Sequence, residues 1–218
     1  MRIHIKTSGI QRIVPYDHQH LLTGTIHKWL GQNNEHGSVS LYSFSRLAGG
    51  KATPQGIHFE RGTSFYFSAS DVNLIKRMIE GIRTTPGMFA GLTVTDVAIQ
   101  EDPDLSVREL FHVGSPIFIK RRDGNKIEHV LYDDKQAGDF LKETLQTKME
   151  LAGVANEPFQ IRFDTNYLRP SIKKITYKGI ANKANWCPVI IEGSPEVKLF
   201  AWNVGLGNST GIGFGAIK

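Results

Sequence analysis

Histidine is the residue type in this chain best suited to acid–base chemistry near neutral pH, and the sequence contains eight. His27 and His36 stand nine positions apart. One neutral and one protonated imidazole could serve as general base and general acid. His27 falls in a segment with helical periodicity and His36 in the polar stretch after it, so a foldback would bring both toward one cleft. The residues alone leave open that His27 is a solvated helix residue and His36 an ordinary loop residue.

The sequence gives less support to metal or thiol chemistry than to acid–base chemistry by histidine. No HExxH motif occurs, and a single cysteine, Cys187, excludes a thiolate zinc cluster or a disulfide framework. His18 and His20 are two positions apart, which points them to different faces of a helix. We therefore predict no metal and no cofactor, a buried structural Cys187, and local hydrogen bonds for His18 and His20.

A glycine-rich segment, GLGNSTGIGFG from Gly205 to Gly215, lies close to the end of the sequence. Backbone N–H groups in such a segment can hold phosphate. The segment does not match the dinucleotide-binding motif GxGxxG, because the last glycine of the motif would fall on Thr210. The GK[ST] ending of a phosphate-binding loop is also absent. The pattern predicts a glycine loop beside a strand end and not a nucleotide-cofactor cradle.

The distribution of charge favours an anionic partner. The formal net charge is +5. Residues 1–109 carry 11 Lys and Arg against 10 Asp and Glu (+1), and residues 110–218 carry 15 against 11 (+4). Between Phe159 and Ile191 only Asp164 opposes the basic side chains, which are Arg162, Arg169, Lys173, Lys174, Lys178 and Lys183. Such a run is either a solvated basic face or a surface that follows phosphates.

Composition is that of an ordinary globular protein, with 40% hydrophobic and 10% aromatic residues. No run approaches the roughly 20 apolar residues of a membrane span. The opening MRIHIKTSG reads as a strand and lacks the apolar stretch of a signal peptide. We expect a cytoplasmic protein.

The first half of the chain reads as strand, helix, two strands, helix and strand. The strand patterns cover residues 2–6, 41–47, 63–70 and 92–100. Asp17 and Asp71 are the predicted caps of the two helices. In the first helix His20, Thr23 and His27 lie opposite an apolar face formed by Leu22, Ile26, Trp29 and Leu30. This order approximates the ferredoxin-like unit.

The second half begins after an acidic stretch at 101–109 that suits a linker. Strand patterns cover residues 115–121, 126–132, 159–165, 173–179, 187–193 and 197–202, and one helix runs from Asp133-Asp134 to Gly153. Helices packed on antiparallel sheets, an α+β fold, follow from this mixture. We place the domain boundary between residues 107 and 108.

Three stretches together carry a resemblance to a known family. They are VPYDHQHLLTGTIHKWL (14–30), the His36-Gly37 pair followed by LYSFSRL (41–47), and the glycine pattern Val204 to Gly207 with Gly211 to Gly215. This combination resembles the CRISPR-repeat-processing endoribonucleases of the repeat-associated RNA-binding superfamily. The resemblance implies two tandem ferredoxin-like domains. It also implies metal-independent cleavage of CRISPR repeat RNA by 2′-OH attack, leaving a 2′,3′-cyclic phosphate and a 5′-OH.

Site residues follow from the same resemblance. His36 matches the principal catalytic histidine and His27 the second catalytic position. The family's third catalytic residue is often a lysine, and its position falls near Ser40, where this chain has no lysine. Lys28, Arg46 or Lys51 could supply the charge instead. The spacer Asn208-Ser209-Thr210 also lacks the family's usual basic residue.

The predicted RNA-binding set combines basic residues with the glycine-rich segment. Its members are Lys28, Arg46, Lys173, Lys174, Lys178, Gly205, Gly207, Asn208, Ser209, Gly211 and Gly213. Tyr16 and Tyr42 could stack on a base or pack in the core. The predicted partners are CRISPR repeat RNA and a CRISPR effector ribonucleoprotein complex, with the chain a monomer or homodimer. Two alternatives remain. The chain could be a non-catalytic RNA-binding subunit of such a complex, or a protein that binds some other RNA.

Overall fold

The first half of the chain forms the predicted ferredoxin-like unit. A computed structural model describes residues 1–31, 39–124, 126–155 and 157–218. The elements of this half are β1 (Arg2–Thr7), β2 (Ile13–Val14), α1 (Gln19–Leu30), β3 (Tyr42–Phe44), β4 (Lys51–Thr53), β5 (Gly56–His58), β6 (Ser64–Ala69), α2 (Val72–Thr84) and β7 (Val94–Gln100). The main sheet has the order β3-β6-β1-β7 with antiparallel pairs throughout. The strands β2, β4 and β5 form a small second sheet that periodicity did not predict.

The apolar face of α1 behaves as its 3.6-residue spacing predicts. Leu22 and Ile26 are fully buried and Trp29 and Leu30 nearly so, in one core with β1, β6 and α2. Asp71 caps α2 as predicted, accepting a hydrogen bond from the backbone N–H of Asn73 at 2.8 Å. The prediction for Asp17 was wrong, because His18 occupies the N-cap of α1.

The second half repeats the same topology with two added hairpins. Its elements are β8 (Leu110–Phe111), β9 (Lys120–Asp123), β10 (Lys126–His129), α3 (Ala137–Ala152), β11 (Gln160–Phe163), β12 (Ser171–Tyr177), β13 (Ile180–Trp186), β14 (Val189–Glu192) and α4 (Pro195–Val204). The sheet order is β11-β14-β8, and Ile217 continues it through an isolated antiparallel bridge to Val113. With Ile217 in the place of the last strand, this order matches that of the first sheet. The fold is therefore two tandem ferredoxin-like units, as predicted, with hairpins β9–β10 and β12–β13 added. The boundary at residues 107 and 108 stays a prediction.

The predicted strand at residues 197–202 is wrong, because this stretch is the helix α4. Its start carries clear helix signals. The Ser194 hydroxyl accepts from the N–H of Val197 at 3.4 Å, and Pro195 opens the first turn. The helix is buried on nearly all sides, since it packs in the second core and also contacts β3 and β6 of the first sheet. Apart from Lys198 the stretch at 197–202 is apolar, so its sequence shows no helical periodicity and favours a strand.

A buried arginine joins the two units. Arg2 on β1 is 2% exposed, and its Nη2 donates to the carbonyl oxygens of Trp202 at 3.0 Å and Ile217 at 2.7 Å. Its guanidinium carbon lies 3.4 Å from the centre of the Trp202 ring and 3.9 Å from that of Tyr66. Burial lowers the pKa of Arg2 to about 10. Each of the helices in the described ranges is too short or too polar to cross a membrane.

Candidate functional site

The polar face of α1 is covered by the glycine-rich segment. Gln19, Thr23 and His27 are spaced four residues apart, so they form one line along the helix. Gln19 Nε2 donates to the carbonyl oxygen of Ile212 at 2.9 Å, and Thr23 Oγ1 donates to the same oxygen at 3.3 Å. The C-terminal segment is thereby attached to the helix that carries the predicted catalytic position.

His27 contacts this segment through a tyrosine. Its Nε2 lies 3.1 Å from the hydroxyl of Tyr42, which donates to the carbonyl oxygen of Gly211 at 3.4 Å. The phenol oxygen therefore lies between the imidazole and the carbonyl oxygen of Gly211. Tyr42 therefore orients the imidazole while the ring stays half-buried. His36 lies outside the described residues, and its pairing with His27 remains a prediction.

The glycines allow the segment to pack closely against these neighbours. Gly205, Gly207, Gly211 and Gly213 are all buried. A Cβ on Gly213, whose φ is +90°, would collide with the Gln19 amide, and one on Gly211 would collide with the Ser40 hydroxyl. Asn208, Ser209 and Ile212 are the members that reach solvent in part. Any RNA contact through this segment thus falls mainly on its Asn208–Ser209 tip.

The position of the segment differs from the predicted one at its start. Gly205 is the C-cap of α4, so the segment follows a helix, whereas its later part, residues 210–212, packs beside the strand β3. At the tip, the Asn208 side-chain oxygen accepts from the N–H of Lys120 at 2.9 Å, and the Asn208 N–H donates to Phe118 at 2.7 Å. Asn208 therefore fastens the segment to hairpin β9–β10.

Hairpin β12–β13 carries the basic run that composition singled out. Lys174 on β12 lies directly opposite Lys183 on β13, and both are exposed. Like charges in directly opposed positions destabilise a hairpin. An anionic partner would relieve this repulsion. Lys173 points to the other face with Ile175, which is buried against Phe118 and Phe214.

The tip of this hairpin holds a lysine in an uncommon conformation. Lys178 has φ +47° and is followed by Gly179 with φ +81°. The pair forms a two-residue turn between Tyr177 and Ile180, where glycine or asparagine is usual. Lys178 thus carries an exposed charge, and its backbone has a left-handed conformation that is rare for lysine.

Three predicted contact residues meet in one cleft. Arg46, Lys174 and Tyr16 line the space between the start of α1 and β12. Burial lowers the pKa of Arg46. Tyr16 is 54% exposed and its hydroxyl donates to Thr53, whereas Tyr42 is 1% exposed and has no face for a base. Of the two tyrosines only Tyr16 is placed to stack.

The remaining cations lie apart from this cleft. Lys28 donates through Nζ to the carbonyl oxygen of Gly87 at 2.6 Å, which holds it against the chain after α2. Lys51 is exposed on β4 of the small sheet. Neither is brought to His27 by a contact in the described residues.

The structural histidines and the cysteine lie as predicted. His18 Nδ1 is 2.8 Å from the carbonyl oxygen of Pro15, and His20 Nδ1 is 2.9 Å from that of Asp17. Cys187 is fully buried, and burial raises its pKa to about 11. Over the described ranges, no three His, Cys, Asp or Glu side chains cluster as metal ligands would.

Two residues of the site escaped the sequence analysis. Tyr42 was considered for stacking and not for orienting His27, because nothing in a strand pattern shows which helix residue faces it. Lys148 is buried on α3 and contacts the glycine-rich segment. Its sequence signal is its place beside Met149, on the apolar stripe that Leu141 and Leu145 define.

Fold and site together define a class: a basic protein of two ferredoxin-like units whose C-terminal glycine-rich segment is docked on the first helix. Residues 100–218, more than half of the chain, match the family model described as CRISPR associated protein Cas6, C-terminal. The chain belongs to this Cas6 family of CRISPR repeat-processing proteins.

Individual relatives agree with this assignment. A CRISPR-associated endoribonuclease-like Cas6 protein of Pyrococcus furiosus is 25% identical over 241 aligned positions, covering 100% of this chain and 98% of that protein. A CRISPR-associated endoribonuclease Cas6 of the same organism is 22% identical over 221 positions, covering 94% and 83%. A solved structure described as a RAMP protein binding different RNA substrates has a TM-score of 0.85 at 23% identity and covers 100% and 98%. The last similarity shows the shared fold.

Proposed function

We propose that this protein is an endoribonuclease that cuts CRISPR repeat RNA. The observation that carries the proposal is His27, held by Tyr42 against the glycine-rich segment at the position where the family resemblance places a catalytic residue. Relatives named as endoribonucleases support a nuclease more generally.

The proposed chemistry needs two proton transfers and no metal. The 2′-oxygen attacks the adjacent phosphorus while one imidazole accepts the 2′-OH proton. The bond from phosphorus to the 5′-oxygen breaks, and the other imidazole donates a proton to that oxygen. His36 is the principal catalytic residue and His27 its partner. The products are a 2′,3′-cyclic phosphate and a 5′-OH.

The basic surfaces would hold the RNA. Lys174, Lys183 and Lys178 on hairpin β12–β13 contact phosphates, together with Arg46 in the neighbouring cleft. Tyr16 offers a ring to an unstacked base. The Asn208–Ser209 tip contributes hydroxyl and backbone groups. A CRISPR effector complex and a monomeric or homodimeric state belong to the same proposal.

The test is incubation of the purified protein with the repeat RNA of its own genome in EDTA. We expect one cut, with a 2′,3′-cyclic phosphate on the upstream product. A substrate with deoxyribose at the nucleotide upstream of the cut should bind and stay intact. Cleavage that requires Mg²⁺, or that proceeds on the deoxy substrate, would refute the mechanism.

One alternative function has its own support. A non-catalytic RNA-binding subunit would need the basic hairpin but no third catalytic residue, and Ser40 stands where the family often has a lysine. Tight binding of the cognate repeat without cleavage, over a range of pH and ionic conditions, would favour this subunit over the nuclease.

A further inference from the structure

Lys148 on α3 is a buried cation whose hydrogen bonds all go to the C-terminal part of the chain. It is 3% exposed. Its Nζ donates to the carbonyl oxygens of Gly205 at 3.0 Å and Val204 at 3.3 Å, and to Thr210 Oγ1 at 3.3 Å. An ammonium has three donors, so these three acceptors satisfy it completely.

These acceptors stand at the two ends of one loop. Val204 and Gly205 end α4, where helix carbonyls lack intrahelical partners and the helix dipole favours a cation. Thr210 begins the short helix after the tip. A single amine therefore fastens both ends of the stretch that presents Asn208 and Ser209.

The same contact continues into the first ferredoxin-like unit. Thr210 Oγ1, which accepts from Lys148, donates to the carbonyl oxygen of Ser40 at 3.4 Å. The next residue, Gly211, packs against the Ser40 side chain and accepts from Tyr42. A path of direct contacts thus leads from Lys148 to the hydroxyl that orients His27.

The other charged groups near Lys148 are few. Lys120 and Arg121 on β9 and Glu143 on α3 line the same cleft, and Arg121 pairs with Glu143 at 2.7 Å. Among the described residues that line it, the glycine-rich segment and the stretch at Val39–Ser40 contribute no titratable side chain. Burial lowers the pKa of Lys148 to about 7.

We propose that Lys148 is a positioning residue for the RNA site. Its amine holds the glycine-rich segment packed against Ser40, which we call the closed form. It thereby fixes the positions of the Asn208–Ser209 tip and of the Tyr42–His27 pair. The RNA part of this inference rests on the proposed function, whereas the closing of the segment does not.

Closing of the segment should depend on pH with a definite sign. An opened segment would expose Lys148 to water, where its pKa returns toward the ordinary value of about 10.4. Below about pH 7 the amine is charged in both forms, and closing is independent of pH. Above it the closed form releases a proton, so closing becomes more favourable by up to about tenfold per pH unit.

Hydrogen exchange of the wild-type protein tests this without RNA. Protection factors for amides in residues 205–211, which correct for the intrinsic pH dependence of exchange, should be flat from pH 5.5 to 6.5 and rise from pH 7.5 to 9. In Lys148→Met the same amides should be about tenfold less protected at pH 8.5, since unpaired carbonyls remain, and the pH dependence should vanish. Lys142→Met, on the same helix, should behave as wild type.

The RNA site is tested by single-turnover cleavage at pH 8. Lys148→Met should be about 100-fold slower, the cost that a misplacement of an ångström can bring, and Lys142→Met unchanged. If wild type does not cleave, the proposed function fails, and the affinities of the two variants for repeat RNA then test the role of Lys148. If Lys148→Met does not fold, Lys148→Gln, which keeps an amide donor in place of the amine, takes its place in both measurements. A Lys148→Met variant with wild-type protection of residues 205–211, wild-type RNA affinity and wild-type cleavage would overturn the inference.

Discussion

At the scale of single residues, the orientation of His27 depends on a neighbour in another element. The Tyr42 hydroxyl contacts both the imidazole and the carbonyl oxygen of Gly211, so three separate parts of the sequence meet at one phenol oxygen. The catalytic role that we propose for His27 needs a fixed ring, and the buried Tyr42 phenol supplies a partner for the imidazole.

We expect His27→Ala to slow single-turnover cleavage by up to about 100-fold, the lower end of what a positioned acid or base contributes. Tyr42→Phe should slow it in the same direction but less, because the ring remains while its orientation loosens. Tyr167→Phe, a partly exposed tyrosine elsewhere, is the control. If Tyr42→Phe cleaves at the wild-type rate while His27→Ala does not, Tyr42 has no orienting role.

The residue types of the site could be predicted from the sequence, but their partners could not. Helical spacing predicted His20, Thr23 and His27 on the polar face of α1, whereas in the structure Gln19 takes the place of the exposed His20 in the line that meets the glycine-rich segment. Nothing local showed that this face is covered by Gly211–Gly213, which lies more than 180 positions later in the chain. The burial of Lys148 is equally a product of long-range packing, since a lysine in a helix is usually solvated.

At the scale of elements, hairpin β12–β13 concentrates charge on one face. Lys174 and Lys183 are paired across the strands, whereas Lys173 points to the opposite face. The sequence predicts both Lys173 and Lys174 as RNA-binding residues. Strand alternation instead separates adjacent residues and joins residues nine positions apart.

Replacing Lys174 and Lys183 together by Gln should weaken RNA binding and reduce its salt dependence. If both contact phosphates of single-stranded RNA, the slope of log affinity against log salt should fall by about 1.4. Lys173→Gln tests whether the other face also contributes. An unchanged slope in the double variant would show that this face is only solvated surface.

The hairpin tip offers a test in which stability and binding move in opposite directions. Lys178→Asn should stabilise the protein by about 1 kcal/mol, because asparagine tolerates the left-handed conformation that this turn requires. The same change removes a charge and should weaken RNA binding. Urea unfolding and binding assays on one preparation measure both. A variant that is more stable and binds RNA as well as wild type would remove Lys178 from the contact set.

Which elements could be predicted depended on burial. The helices with one exposed face, α1 and α2, followed from periodicity, and so did the order of strands and helices along the first half of the chain. The helix α4 did not, since Phe200, Ala201 and Trp202 are all buried and leave no polar face. The short strands β2, β4 and β5 carry too few residues for a pattern to be distinguished from a loop.

At the scale of the whole molecule, the two ferredoxin-like units are joined through polar contacts at their centre. Arg2 crosses from the first strand to the carbonyl oxygens of Trp202 and Ile217. Since the same C-terminal region carries the glycine-rich segment, the relative placement of the units also sets the position of that segment on α1.

Arg2→Met should therefore destabilise the protein by about 3 kcal/mol, because two buried carbonyl oxygens lose their donor. Arg12→Met, at an exposed position, should change the free energy of unfolding little. Urea unfolding monitored by tryptophan fluorescence reports the difference, with Trp202 at the interface as the probe. Equal stability of the two variants would show that Arg2 does not hold the units together.

The most direct test of the central claim is single-turnover cleavage of the cognate repeat RNA by His36→Ala, measured in EDTA at saturating protein beside wild type. We predict a rate at least about 100-fold lower, with RNA affinity within a few-fold of wild type, since a general acid or base contributes to the reaction and not to binding. Cleavage by His36→Ala at the wild-type rate would contradict the assignment of the catalytic site.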